Sequence, residues 1–116
     1  MKVKRIVANI HTDHIEAAKK FYEGVLGLKV LMDHGWIRTY GNETMMGIQI
    51  SFANEGGSGT LTPDLSIEVD DVATAFTRMK EAGFKIEYGS INEPWGVRRF
   101  YVRDPFGKLI NTLSHL

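Results

Sequence analysis

Hydrophobic and polar residues alternate in several short runs of this chain, and a period of two predicts β-strands. In residues 3–10, Ile6, Ala8 and Ile10 fall on one side of the predicted strand, whereas Val7 falls on the other. Further β-like runs predict strands over residues 28–32, 36–40, 45–53, 64–70, 84–90, 97–103 and 108–114. The pattern therefore predicts eight strands.

Two stretches between these runs change to the period of an amphipathic helix. The first begins at Asp13, and Gly27 stands where a helix C-cap is expected. The second begins near Asp70 or Asp71 and ends at Gly83. Each half of the chain is thus predicted to have the order β-α-β-β-β, which gives an α+β fold class.

The two predicted modules also resemble each other in sequence. Residues 27–30 and 83–86 both read Gly, a large apolar residue, Lys and a β-branched residue. Between them, residues 55–62 are rich in Gly and lack the Lys-Ser/Thr of a phosphate-binding loop, so we interpret them as a linker. We predict modules over about residues 1–54 and 63–116 that share a single domain, because a unit of this size buries too little surface alone.

Each predicted sheet should pack its apolar side against its helix and leave a second side, the helix-free face, for mixed side chains. The residues expected on this face are Arg5, Val7, Asn9, Trp36, Arg38, Tyr40, Gly47, Gln49, Ser51, Ala53, Asp64, Ser66, Glu68, Arg99, Tyr101, Leu109, Asn111 and Leu113. They combine charged, amide and aromatic groups. Two such sheets, cupped towards each other, would enclose a half-polar cavity.

The last sixth of the chain is predicted to be a hairpin. Residues 104–107 read Asp-Pro-Phe-Gly, in which Pro and Gly suit the second and fourth positions of a turn. The strand before this turn carries Arg99 and Tyr101 on one side, and Trp95 precedes it. These three residues are our first candidates for contact with a ligand.

Composition narrows the range of partners. The 116 residues contain 14 basic and 14 acidic side chains, so no overall field draws the protein to nucleic acid or to an anionic membrane. There is no cysteine, no signal-peptide pattern and no long apolar run. We expect a cytoplasmic protein without nucleic-acid or membrane partners.

Two motifs carry a resemblance that spans essentially the whole chain. Residues 21–28 read Phe-Tyr-Glu-Gly-Val-Leu-Gly-Leu, and residues 100–107 read Phe-Tyr-Val-Arg-Asp-Pro-Phe-Gly. Together with the doubled module, they resemble the vicinal oxygen chelate superfamily, which includes glyoxalase I, bleomycin-resistance proteins and extradiol dioxygenases. The resemblance implies a single domain over residues 1–116 whose modules form a curved, incomplete barrel around a ligand cavity, commonly completed in a homodimer.

The resemblance also implies where metal-dependent members would place their ligands, which are mostly His and Glu. The matching positions here are Val7, Gln49, Asp64 and Asn111. Only Asp64 is a carboxylate and none is an imidazole, so the set suits Zn²⁺, Ni²⁺ or Fe²⁺ poorly. The four histidines fall in predicted turns or near the end of the sequence, where we expect surface positions.

We therefore expect a metal-independent protein that binds a small molecule, resembles bleomycin-resistance proteins and has no cofactor. The expected ligand-binding residues are Trp36, Arg38, Tyr40, Gln49, Asp64, Glu68, Trp95, Arg99, Tyr101 and Asn111. The alternative is a lyase, isomerase or dioxygenase with a divalent metal held by Gln49, Asp64 and Asn111. The sequence does not decide whether the protein is an enzyme.

Two further alternatives concern individual side chains. Arg5, Arg38 and Arg99 would grip a carboxylate or phosphate ligand, or would pair with Asp64 and Glu68 and so neutralise the cavity. The tryptophans would stack on a ligand or pack at a dimer interface.

Overall fold

A computed structural model of the protein describes residues 1–42 and 48–116. The chain divides into two compact units, which we name the C-terminal unit (Met1–Ile6 and Pro63–Leu116) and the N-terminal unit (Val7–Thr62). The first strand, β1 (Val3–His11), contributes residues to both units.

In the N-terminal unit, β1 is followed by β2 (Lys29–Asp33), β3 (Ile37–Gly41) and β4 (Gln49–Ala53). The strand order is β2-β3-β4-β1, with β1 parallel to β4 and the other neighbours antiparallel. Between β1 and β2, the chain forms a 3₁₀ turn (Ile15–Ala17) and a π-helical segment (Lys19–Val25).

The helical segment differs from the α-helix that the sequence predicts from Asp13. It begins at Ile15, and the amide of Leu26 donates to the carbonyl of Phe21, five residues earlier, at 3.1 Å. The predicted end is confirmed, because Gly27 adopts a positive φ of 71° directly after the segment.

In the C-terminal unit, β5 (Leu65–Val69), α1 (Val72–Glu81), β6 (Ile86–Glu93), β7 (Val97–Arg103) and β8 (Leu109–His115) follow in the chain. Their strand order is β5-β8-β7-β6, with β5 parallel to β8 and the other neighbours antiparallel. Asp71 caps α1 by accepting a hydrogen bond from the Thr74 amide at 3.0 Å.

The α+β class and the repeated order of strands and helix are confirmed. The closing hairpin of β7 and β8 is also confirmed, and Asp104 accepts hydrogen bonds from the amides of Phe106 and Lys108 within its turn. β6 continues to Glu93, three residues beyond its predicted end at Ser90. Residues 45–47 of the fourth predicted strand, with Gly47 on its expected helix-free face, lie outside the described residues.

Each unit packs an apolar core between its strands and its helix. In the C-terminal unit, fully buried Phe100 lies in a cluster with Val102 and Ile110 from the sheet and Val72 and Ala75 from α1. These contacts show that alternate residues of β7 and β8 point towards α1. The residues between them form the helix-free face of this unit.

The prediction that Arg38 and Tyr40 of β3 lie on the helix-free face is wrong. Tyr40 is paired with Ile50 and Arg38 with Phe52, so both side chains lie on the helix side of the sheet. Tyr40 is fully buried, with its ring stacked on that of Tyr22 at 6.4 Å between centroids. The charge of Arg38 made the helix-free face the expected side for this residue. An arginine can nevertheless lie on the helix side of a sheet when acidic side chains there pair with it.

Gly89 is predicted to be required for the β6–β7 pairing. It has a φ of 81° next to a register shift, and a Cβ at this position would collide with the backbone oxygen of Arg99. We expect Gly89→Ala to lower the free energy of unfolding by about 2 to 5 kcal/mol, as the sum of left-handed strain and overpacking. Urea denaturation measures the loss.

Gly96→Ala is the matched control. Gly96 has a φ of 92°, but a Cβ there meets no atom within 4 Å. Only the strain remains, so the expected loss is about 1 to 2 kcal/mol. Equal losses for the two variants would show that the close approach to Arg99 is unimportant.

Candidate functional site

The helix-free face of the C-terminal unit brings together several of the predicted site residues. In the antiparallel pair β7–β8, Tyr101 lies opposite Asn111, and Arg99 lies opposite Leu113. In the parallel pair β5–β8, Ser66 is the neighbour of Asn111. The expectation that Arg99, Tyr101 and Asn111 share a face is therefore confirmed, whereas their role in binding stays a prediction.

Arg99 forms a buried ion pair with Glu93. Its Nε and Nη2 atoms lie 2.7 and 2.5 Å from the same carboxylate oxygen, and both side chains are only 3% exposed. Arg99 Nη1 donates to the hydroxyl of Tyr101 at 2.8 Å, and the hydroxyl of Tyr88 donates to Glu93 at 3.1 Å. The guanidinium is thus neutralised and held in one orientation.

Three aromatic rings surround the same guanidinium. Its central carbon lies 5.4, 4.8 and 4.9 Å from the ring centroids of Tyr88, Trp95 and Tyr101. These distances fall within the range of cation–π attraction. We refer to Arg99, Glu93, Tyr88, Trp95 and Tyr101 together as the Arg99 box.

Asn111 lies next to the Arg99 box and has an unusual hydrogen-bonding state. It is 7% exposed, and its Nδ2 donates to Ser66 Oγ at 3.1 Å. Its Oδ1 atom is buried and has no hydrogen-bond partner among residues 1–42 and 48–116. Because buried acceptors are nearly always paired in folded proteins, this atom is a candidate contact for a ligand.

Glu68 connects β1 and β8 near this face. Its carboxylate lies 2.5 Å from Arg5 Nε, 3.0 Å from His115 Nδ1 and 3.7 Å from Lys4 Nζ. Burial raises the pKa of Glu68, but the hydrogen bonds with His115 and Arg5 outweigh it, so the net pKa is lowered. The expected surface position of His115 is confirmed, although its ring contacts Glu68.

Asp64 has a structural contact at the end of the same face. Its Oδ2 accepts a hydrogen bond from the Leu109 amide at 2.8 Å, and its own amide donates to the Leu109 carbonyl at 2.8 Å. The carboxylate therefore fixes the start of β8. The expected pairing of arginines with Asp64 and Glu68 is confirmed for Arg5 and Glu68, whereas Arg99 pairs with Glu93 instead.

Arg38 in the N-terminal unit is also paired. Its guanidinium lies 2.5 Å from Glu16 and 3.0 Å from Asp33, and it reaches the hydroxyl of Tyr40 at 3.5 Å. The pKa of Arg38 is raised, first by its hydrogen bond with Glu16. Arg38 and Tyr40 thus join the sheet to the helical segment and are not on the expected ligand face.

The other two predicted site residues of the N-terminal unit, Trp36 and Gln49, lie just before β3 and at the start of β4. Trp36 precedes β3 and its ring stacks on His34 at 6.1 Å between centroids. Gln49 is half-buried at the start of β4, opposite Gly41.

The donor set expected for a divalent metal does not fit such a site. Asp64 accepts a hydrogen bond from the backbone of Leu109, and Asn111 binds Ser66 through its amide nitrogen. Gln49 and Asn111 offer only neutral amide oxygens. Among the described residues, no three His, Asp or Glu side chains are grouped so that they could hold a metal ion. The set of Gln49, Asp64 and Asn111 contains a single carboxylate and no imidazole, and such a set suits Zn²⁺, Ni²⁺ or Fe²⁺ poorly.

Sequence reasoning missed Glu93 and Tyr88. The register of β6 against β7 shifts twice, between Ile86 and Tyr88 and between Gly89 and Ile91, so simple alternation fails in this strand. The short connection between β6 and β7 could have indicated Glu93 from the sequence. It pairs Glu93 with Val97, two residues before Arg99. An acidic residue at this position lies within reach of the arginine.

Loss of Glu93 is predicted to leave an uncompensated buried charge. We expect Glu93→Gln to lower the free energy of unfolding by about 3 kcal/mol. The double variant Glu93→Gln/Arg99→Met removes the cation as well and should be more stable than Glu93→Gln alone by at least ~1 kcal/mol. Urea denaturation of both variants and of Arg99→Met completes the cycle. A double variant that loses the sum of the two single losses would contradict a coupled pair.

Glu68 is predicted to make stability depend on acid pH. Because its folded pKa is lowered from the ordinary 4.5, ionised Glu68 stabilises the fold above that pH, and this contribution is lost as pH falls through the folded pKa. We expect Glu68→Gln to be less stable than the parent protein at neutral pH and to converge with it as the pH falls below the lowered pKa of Glu68. Urea midpoints across pH measure this. Glu81→Gln, at an exposed carboxylate at the end of α1, is the control and should follow the parent.

Comparison with known proteins supports a single family. The family model of the Glyoxalase/Bleomycin resistance protein/Dioxygenase superfamily matches residues 3–112. No curated protein matches the sequence. No helix among the described residues is both long and apolar enough to cross a membrane.

Solved structures share the fold at low sequence identity. A structure described as NAD-dependent benzaldehyde dehydrogenase from Legionella pneumophila has 13% identity and a TM-score of 0.73, over 96% of this chain and 99% of that one. A glyoxalase/bleomycin resistance protein/dioxygenase superfamily member from Vibrio splendidus has 17% identity and a TM-score of 0.66, over 97% and 99%. Methylmalonyl-CoA epimerase from Streptomyces coelicolor, in complex with 2-nitronate-propionyl-CoA, has 16% identity and a TM-score of 0.62, over 99% and 97%. With a family match over nearly its full length, the chain belongs to the Glyoxalase/Bleomycin resistance protein/Dioxygenase superfamily.

Proposed function

We propose that this protein binds a small organic molecule without a metal of its own, on the helix-free face of the C-terminal unit, in the manner of bleomycin-resistance proteins. The observation that carries the proposal is that the buried Asn111 acceptor beside the Arg99 box has no hydrogen-bond partner among residues 1–42 and 48–116. This part of the face combines the aromatic rings of Trp95 and Tyr101, a neutralised ion pair and one buried polar atom that has no partner among the described residues. These are the features of a small-molecule site.

The arrangement favours binding over covalent catalysis. The chain has no cysteine, and Ser66 Oγ contacts the amide of Asn111. A serine nucleophile needs a neighbouring base, and the imidazole of His115 contacts the Glu68 carboxylate instead. The polar groups of this face are thus engaged in holding one another in place.

Rigidity of the Arg99 box supports the same conclusion. Glu93 accepts from Arg99 and Tyr88, and Arg99 also reaches Tyr101, so the side chains are fixed before any ligand arrives. A site that is already ordered loses less conformational entropy on binding. A flat aromatic ligand gains about 0.5 to 1.5 kcal/mol for each ring that it stacks on, beyond the area that it buries.

The proposal assigns different roles to the predicted site residues. Trp95, Tyr101 and Asn111 provide contacts, while Arg99 and Glu68 hold the face together through ion pairs. Asp64, Arg38 and Tyr40 stabilise the fold. A homodimer in the cytoplasm, as expected from the sequence and its resemblance, belongs to the same proposal.

Metal binding and antibiotic binding are tested on the same purified protein. We expect no stoichiometric metal and no saturable rise in melting temperature with Ni²⁺, Zn²⁺, Mn²⁺ or Fe²⁺. We expect metal-free bleomycin to raise the melting temperature in a saturable manner, because a ligand specific for the folded state stabilises it by RT ln(1 + [L]/Kd). Saturable stabilisation by a metal would contradict metal independence and favour the metal-dependent lyase, isomerase or dioxygenase.

Tryptophan variants locate the binding surface. Trp95→Ala should weaken bleomycin binding about tenfold through loss of ring stacking, as measured by isothermal titration calorimetry. Trp36→Ala, at the other tryptophan, is the matched control and should bind as the parent protein does. The reverse result would place the ligand on the N-terminal unit.

A further inference from the structure

We propose that Asn111 selects ligands that present an N–H donor beside a flat ring, such as aryl amides and aryl amidines, and discriminates against aryl carboxylates. This inference rests on the proposed function and specifies the ligand class of the same site. It follows from the hydrogen bonding of Asn111 and from the charges around it.

Asn111 is placed as a fixed acceptor. On one side of its strand Ser66 holds the Nδ2 end of the amide at 3.1 Å, and on the other side Tyr101 is the direct cross-strand neighbour. The Oδ1 end is then the part of this buried amide without a partner among the described residues. A carboxamide oxygen accepts hydrogen bonds, so the complementary group on a ligand is a donor.

The charges of the face disfavour an anion. Arg99, the guanidinium nearest to Tyr101, is bound to Glu93, and Arg5 is bound to Glu68. A carboxylate ligand would have to compete with one of these ion pairs, and it would place its own acceptors against Asn111 Oδ1. A neutral or cationic donor encounters neither obstacle. It also supplies a hydrogen bond to Asn111 Oδ1, an acceptor that folding has already removed from water.

Ring contacts complete the specificity. Tyr101 is both the cross-strand neighbour of Asn111 and a wall of the Arg99 box, and Trp95 forms another wall. A donor that pairs with Asn111 and is attached directly to a planar ring would thus bring that ring next to Tyr101. This geometry points to aryl amides and amidines as the ligand class.

Three probes of nearly equal shape separate the possibilities. Benzamidine offers only donors, benzamide offers a donor and an acceptor, and benzoate offers only acceptors. We expect ¹H–¹⁵N spectra of the parent protein to show saturable shifts of the Asn111 side-chain amide with benzamidine and benzamide. Benzoate should bind at least tenfold more weakly than benzamidine. The Asn111 signal is assigned by its absence from the spectrum of Asn111→Leu.

Variants of Asn111 test the acceptor directly. Asn111→Leu should weaken benzamidine about tenfold, the effect of one lost hydrogen bond. Asn111→Asp keeps an acceptor of the same shape and adds charge, so it should bind benzamidine at least as tightly as the parent. Ser66→Ala frees the amide to rotate and should reduce the preference for benzamidine over benzoate.

Several outcomes would overturn this inference. They are benzoate binding as tightly as benzamidine, weaker benzamidine binding in Asn111→Asp, an unchanged affinity in Asn111→Leu, and no binding of any of the three probes. The proposed function is judged separately by bleomycin, so bleomycin binding together with any of these results would retain the function and reject the ligand class. Loss of bleomycin binding as well would reject both.

Discussion

The C-terminal unit depends on the burial of one guanidinium. A charged side chain that is 3% exposed is tolerated only where a counter-charge and further hydrogen-bond partners are present, and Glu93 and Tyr101 supply them. Glu93 reaches Arg99 from the neighbouring strand, so the β6–β7 pairing must hold its register through two irregularities. Gly89 permits this because its backbone passes too close to Arg99 for any side chain. The polar interior of the unit thus dictates its backbone path.

Charge neutrality distinguishes this face from the oxyanion-binding surface that three arginines suggest. Arg5 and Arg99 in the C-terminal unit each lie 2.5 Å from a carboxylate oxygen. Arg38, on the helix side of the N-terminal unit, is also paired with a carboxylate. The groups that the proposed binding would use are weaker and more directional than a free charge: aromatic rings and the Asn111 amide. A surface of this kind discriminates by shape and hydrogen-bond polarity rather than by net charge.

The sequence predicted the elements well because each had a local cause. The turn at residues 104–107 and the C-cap at Gly27 rest on backbone preferences that operate within a few residues. The faces of β7 and β8 also followed from alternation, since the apolar set of Phe100, Val102 and Ile110 is unambiguous.

Where the sequence was misread, the deciding contact was distant in the chain. Tyr40 and Arg38 lie on the helix side because Tyr22 and Glu16, which are 18 and 22 residues earlier in the chain, contact them there. Glu93 was missed because irregular pairing in β6 changes which residues face Arg99. Alternation identifies which side chains share a face, but it does not say which face a polar residue occupies once a buried partner can neutralise it.

The parallel pairing of β5 with β8 has a consequence for how the protein folds. Asp64 and Leu109, which begin this pairing, are separated by 45 residues, so the chain between them must be confined before these hydrogen bonds form. β1 and β4 are likewise parallel and are separated by the helical segment and a hairpin. Non-local closures of this kind slow folding and leave strand edges exposed while it proceeds. The face that carries Asn111 therefore first exists when β8 has paired with β5.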